Sequence, residues 1–167
     1  MTLTAARDRA LRMIEQRAPL PHVLAHLASS AEELCERRIV ASILLLDREG
    51  LLRNGASPNL PADYLDAIDR IRPDPAVGTC AAAAATGQIV LTPDFFEDSR
   101  WAELKHLPTA IGFRGAWSMP IKNAEGRVLG TFGTYFREHR LATAGEREAV
   151  ALLVEVAANA IEGNAFA

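Results

Sequence analysis

Arg114-Gly115-Ala116-Trp117-Ser118-Met119-Pro120-Ile121, then the turn Asn123-Ala124-Glu125-Gly126, then Val128-Leu129-Gly130-Thr131-Phe132-Gly133-Thr134-Tyr135-Phe136 read as two strands joined by a tight turn. Short runs rich in aromatic and β-branched residues, bounded by Asn and Gly, are the pattern of a hairpin. A second hairpin lies upstream. Ile39-Val40-Ala41-Ser42-Ile43-Leu44-Leu45-Leu46 is a nearly continuous apolar run, Asp47-Arg48-Glu49-Gly50 turns the chain, and Leu51 to Ala56 returns. Gln88 to Thr92 is one more candidate strand. Sheets built from hairpins are antiparallel.

Helices flank this strand-rich middle. Leu20, Val23, Leu24, Leu27, Ala31, Leu34 and Cys35 recur at three- and four-residue spacing and form one apolar stripe, while His22, His26, Glu32, Glu33 and Glu36 fall mostly off it. A shorter helical stretch through Leu11 and Ile14 precedes it, with Pro19 at the junction. Pro61 opens a short helix through Tyr64, Leu65 and Ile68. The alanine run from Ala81 to Ala85 predicts a helix with Gly87 as its C-cap. Thr143-Ala144-Gly145-Glu146 is a capping box, and the helix behind it is expected to bury Ala149, Leu152, Leu153, Val156, Ala157, Ala160 and Ile161. The fold class is therefore α+β: antiparallel strands in the middle and helices at both ends.

The composition narrows the function. With 167 residues, 49% hydrophobic and 23% charged, the chain fits one globular domain over 1–167, with a core from about 20 to 161. The net charge is −3 and no basic stripe offers itself to a phosphate backbone, so nucleic acid is not an expected partner. Two cysteines are too few for a disulfide framework and fit a reducing cytoplasm. No apolar stretch approaches the ~20 residues that cross a bilayer, so a soluble, cytoplasmic protein is expected.

Four stretches, in order, resemble GAF domains, in particular the subgroup that precedes bacterial histidine kinase or diguanylate cyclase modules. They are Ser42 to Asp47; Val77-Gly78-Thr79-Cys80 with Ala82-Ala83 and Thr86-Gly87; Asp98-Ser99-Arg100-Trp101 continuing to Gly112-Phe113-Arg114; and Trp117 to Ile121 with Gly126 to Phe132. Two positions depart from the subgroup: Ala81 stands where glycine usually follows the cysteine, and Ala116 where cysteine commonly precedes the tryptophan. The resemblance implies a central antiparallel sheet of five or six strands, terminal helices on one face, and a ligand pocket under irregular segments on the other. It also implies a sensory domain that binds a small molecule or small anion, forms a homodimer through its terminal helices and acts on a signalling output domain.

The candidate ligand-binding residues are Gly78, Thr79, Cys80, Ala81, Phe95, Trp101, Phe113, Trp117 and Tyr135. A helix start at Thr79 would present free N–H groups, with Thr79 as a plain N-cap the competing reading. The aromatics would stack on a planar ligand or simply pack the core, with Trp117 first among them. This picture requires Trp117 and the Thr79 turn to lie on the same side of the sheet. His106 is weighed as an axial haem ligand against an exposed loop histidine. His22 and His26, four apart on a helix, lack a third metal ligand in sequence, and a solvated helix face suits them. Cys80, with its pKa lowered by a helix start, raises the alternative of a thiol-dependent reductase, as in the GAF-fold free methionine-R-sulfoxide reductases; no resolving cysteine lies close in sequence. A third alternative is a structural dimerisation module whose interior is filled by its own side chains. Walker A, Gly-x-Ser-x-Gly, kinase and cyclase motifs are absent from the sequence.

Overall fold

The computed structural model describes residues 1–165. Helices α1 (Leu3–Glu15) and α2 (Leu20–Leu34) lead into strands β1 (Val40–Leu46) and β2 (Leu52–Ala56). Short helices α3 (Ala62–Ala67) and α4 (Cys80–Thr86) precede β3 (Val90–Thr92). A single 3-10 turn (Ser99–Trp101) and α5 (His106–Ala110) lead to β4 (Gly115–Lys122), β5 (Val128–Phe136) and the long α6 (Ala144–Ala165).

The five strands form one sheet in the order β2-β1-β5-β4-β3, antiparallel throughout, as the hairpin pattern predicts. Its local causes are visible. The Asp47 carboxylate accepts from the Glu49 and Leu51 N–H groups in the first hairpin turn, and the Asn123 side-chain carbonyl accepts from Glu125 and Arg127 in the second. Gly87 closes α4 at φ 66°, where a side chain would be strained. The expected capping box forms at both ends, Thr143 N–H to Glu146 at 2.9 Å and Glu146 N–H to Thr143 at 3.1 Å.

Both faces of the sheet are buried. On one, α1, α2 and α6 pack over Ala41, Ile43, Met119, Ile121, Phe132 and Phe136. On the other, α3, α4, the 3-10 turn and α5 lie over Val40, Ala116 and Tyr135 and over Leu44 and Leu52. The terminal-helix face and the covered face are thus where the sequence places them.

Three expectations fail in detail. Trp117, fully buried, points into the terminal-helix core, opposite the Thr79 turn. Side chains alternate along a strand, so its neighbours Ala116 and Ser118 face the other way. The requirement that Trp117 share the Thr79 side of the sheet is not met; the antiparallel sheet, its terminal-helix face and its covered face stand on the strand pairing and on the other packed residues. Glu32 lies within the buried face of α2 and not off the stripe: its carboxylate accepts from the Ala41 N–H at 2.9 Å and from Asn59 at 2.5 Å. On α6, Leu152 is 40% exposed, and Val150 and Val154 are buried in its place. The helix carries two apolar stripes about one residue apart, and only contact with α1, α2 and β4 chooses between them.

Candidate functional site

A small chamber lies between the covered sheet face and the segments above it, with a volume of about 30 Å³. Leu44 and Leu52 form part of its floor; Ile68, Ile71, Val77 and Leu104 supply apolar walls. Gly78, Thr79, Cys80, Ala81, Trp101 and Tyr135, all expected in the site, line it, together with Tyr64. None of the lining side chains carries a formal charge at neutral pH apart from any ionised Cys80.

The remaining expected residues sit elsewhere. Phe95 and Phe113 are buried one layer back: Phe95 packs edge-on against Trp101 at 4.5 Å between centroids, and Phe113 against Tyr135 at 5.2 Å. They support lining residues. Trp117 lies across the sheet, and its neighbour Ser118 faces the covered side, where it meets Cys80. His106 is exposed at the start of α5 and lines no part of the chamber, which is far too small for a porphyrin. His22 is exposed, whereas the half-buried His26 donates from Nε2 to the Ala6 carbonyl at 2.9 Å and clasps α1 to α2, a structural use.

Thr79 stands at the N-cap position of α4, but its side chain makes no capping hydrogen bond, and its hydroxyl is not free. The Trp101 indole N–H donates to its Oγ1 at 2.7 Å, and Thr79 lies 3.0 Å from Thr92, which donates to Asp98 at 2.7 Å. An indole can only donate and a carboxylate can only accept. The Thr79 proton is therefore committed to Thr92, and the chain runs one way from Trp101 to Asp98. Burial alone would raise the Asp98 pKa, but hydrogen bonds from Arg100 (2.7 Å) and Thr92 outweigh it and hold the carboxyl below its usual range. This chain latches the cover, through Trp101, to the start of α4 and to edge strand β3.

Cys80 sits against the floor. Ser118 donates to its sulfur at 3.3 Å, and a Cβ placed on Gly133 would lie 2.9 Å from that sulfur. Burial pushes the thiol pKa up, against the opposing hydrogen bond from Ser118. The expected lowering by a helix start does not occur, because desolvation outweighs it. Cys35, the second cysteine, belongs to the terminal-helix core on the other side of the sheet, its pKa raised to about 11, chiefly by burial.

Tyr64 donates to Tyr135 at 2.7 Å, with the rings nearly perpendicular at 5.7 Å. The chain has only these two tyrosines. Burial raises both pKa values; the hydrogen bond to Tyr135 opposes the rise at Tyr64, whereas Tyr64 adds to it at Tyr135, and both are neutral phenols. The sequence reading missed Tyr64 as a site residue, since an aromatic on a short helix looks like core. Among the described residues one group has metal-ligand geometry, Asp94, Glu97 and His139, with ligand atoms within 4.8 Å. Asp94 there already receives two hydrogen bonds from Arg114, at 2.9 and 2.7 Å, which occupies the site with a cation.

Five antiparallel strands with chain-end helices behind and a chamber under short helices in front define a sheet-and-cover architecture. The chain belongs to the GAF domain family, whose model matches residues 18–162. It is 34% identical over 161 residues to the methyl sulfide methyltransferase-associated sensor of Methanosarcina acetivorans, covering 96% of this chain but only 16% of that protein. The fold is shared with a domain assigned to a two-component sensor histidine kinase of Sinorhizobium meliloti 1021 (TM-score 0.71, 20% identity, 86% of this chain and 91% of that one). It is shared also with free methionine-R-sulfoxide reductase from Neisseria meningitidis, solved with its substrate (TM-score 0.73, 16% identity, 98% and 90%). No helix among the described residues is long and apolar enough to cross a membrane.

Proposed function

We propose that this chain is a sensory domain of signal transduction that takes a small ligand into the chamber and acts on an output domain, of the histidine kinase or diguanylate cyclase kind. The observation that carries the reading is the uncharged chamber between the sheet and its cover, at whose wall Trp101 binds Thr79. The likeness to a sensor along nearly the whole chain supports it. A chamber of about 30 Å³ admits only a few heavy atoms as it stands, so a larger ligand must displace the cover, residues 93–112. The uncharged lining favours a small neutral molecule over a small anion, which would lose its hydration without a counter-charge. The ligand shifts the domain only by the difference in its affinity for the two cover positions.

The output lies across the sheet, where α1, α2 and α6 pack on strands whose opposite face forms the floor. Homodimerisation through these helices is part of the reading. Its support on α6 is one exposed leucine, Leu152, set among Glu148, Glu155 and Asn159.

Native mass spectrometry of the chain isolated under non-denaturing conditions, with amide exchange before and after adding small neutral metabolites, tests this. A retained compound and slower exchange over 93–112 are expected, both abolished when Ala81→Leu fills the chamber. Unaltered signalling by an Ala81→Leu chain joined to its output domain would end the reading. The reductase alternative has a shared fold in its favour. Against it stand a thiol pushed towards its neutral form and a second cysteine on the far side of the sheet. Turnover of free methionine sulfoxide that is lost in Cys80→Ser would establish it.

A further inference from the structure

The two tyrosines of the chamber leave one proton over. A pair of hydroxyls hydrogen-bonded to each other has two protons and one bond between them, whichever oxygen donates. Tyr64 donates to Tyr135 at 2.7 Å, and neither hydroxyl has another hydrogen-bond partner among the described residues. Both residues are 4% exposed, and both line the chamber. The spare O–H is therefore a buried donor without an acceptor, which native structures rarely leave unanswered. The one other hydroxyl that lines the chamber, Thr79, gives its proton to Thr92; Ser118 behind it gives its own to Cys80, and the unpartnered Thr131 hydroxyl lies outside the lining.

We infer that the chamber takes a small uncharged molecule bearing one hydrogen-bond acceptor, held by the spare phenolic proton of the Tyr64–Tyr135 pair. This rests on the chamber being the ligand site. The charge state follows from the lining: no Lys, Arg or His faces the chamber, so an anionic acceptor would be stripped of water with no counter-ion to replace it. A purely apolar guest would fit the walls but leave the phenol unanswered. A guest that only donates would meet oxygens already engaged and still leave that proton without a partner. The ligand thus has an apolar body against Leu44, Ile68, Val77 and Leu104, and one carbonyl-like or similar acceptor directed at the tyrosines.

Three planar molecules of four heavy atoms separate these cases: acetone (neutral acceptor), isobutene (apolar) and acetate (anionic acceptor). Their affinities for the full chain are measured by following backbone amide shifts around Tyr64, Cys80 and Tyr135. Acetone is expected to bind about ten-fold more tightly than either of the others, the worth of one neutral hydrogen bond regained in a buried site. Tyr64→Phe and Tyr135→Phe each leave one phenol with one proton, so the preference is expected to persist in the single variants. The double variant, which has no donor, should bind acetone and isobutene alike. Equal affinities in the unaltered chain, or a preference for acetate, overturn the inference while leaving the chamber as a binding site. A preference that survives the double variant also overturns it. If none of the three binds, the sensor reading of the chamber falls with it.

Discussion

Single atoms set the shape of the chamber, and two glycines of β5 show how differently they do so. A Cβ on Gly130 would lie 2.1 Å from the Leu44 carbonyl oxygen, a backbone atom of the neighbouring strand. A Cβ on Gly133 would instead meet the Cys80 sulfur at 2.9 Å, and that sulfur can swing away about one bond. Gly130→Ala is expected to cost about 3 kcal/mol or more, because the β1–β5 ladder must part. Gly133→Ala should cost about 1 kcal/mol and push the thiol into the chamber. Urea unfolding of both variants checks the contrast; equal losses would mean the thiol has no room to move. These residues also show where the sequence stopped speaking. Trp117 looked like a ligand platform, yet it is the small Ser118 that faces the covered side and meets Cys80. The available signal was the alternation itself: Ala116, Ser118, Thr131 and Gly133 are small while Trp117, Met119 and Phe132 are large. A floor pressed by a cysteine needs the small set, and the bulky set belongs to the helix side.

Elements were more legible than residues, because caps and turns act through neighbours in sequence. The second hairpin turn, the Gly87 cap and the Thr143–Glu146 box were all readable in this way. The partner that the box acquires in three dimensions was not. Arg140 closes on the Glu146 carboxylate with two hydrogen bonds, 2.7 and 3.0 Å long, and both side chains are less than 15% exposed. Nothing in the segment from Arg137 to Ala142 announces that pairing. Burial would raise the Glu146 pKa; the Arg140 hydrogen bonds and the Thr143 N–H outweigh it and hold the carboxyl below its usual value. A depressed folded pKa means stability that is present above the ordinary glutamate range and lost as pH falls through the folded value. Glu146→Gln is therefore expected to destabilise by about 2 kcal/mol at pH 7, leaving Arg140 half-buried without its counter-ion. The deficit should shrink below pH 4, where the native carboxylate is itself being protonated. Chemical denaturation of both chains from pH 7 to pH 3 provides the measurement; a deficit constant with pH would place the effect in the helix cap alone.

At the scale of the whole molecule, one sheet separates two cores of unequal strength. Continuous apolar strands buried on both faces carry no period of two, so β4 and β5 concealed which residues face which core. The terminal-helix core is the larger and contains three helices in regular contact. The other face carries α3, α4, one 3-10 turn and α5, the longest of them seven residues, and leans on fewer apolar side chains; the cover, residues 93–112, contains only the turn and α5. Regions with few apolar contacts and irregular backbone open at lower free energy than the molecule as a whole. The cover should therefore open as a unit, with the Trp101–Thr79 bond among its fastenings. Trp101→Phe keeps an aromatic ring against Phe95 and removes only the N–H. That variant is expected to exchange amide hydrogens over 93–112 about five- to ten-fold faster, the loss of one buried hydrogen bond. Exchange in α2 and α6 should stay within about two-fold. If α2 and α6 accelerate in step with the cover, the two faces unfold together, and a ligand has no route into the chamber short of global unfolding.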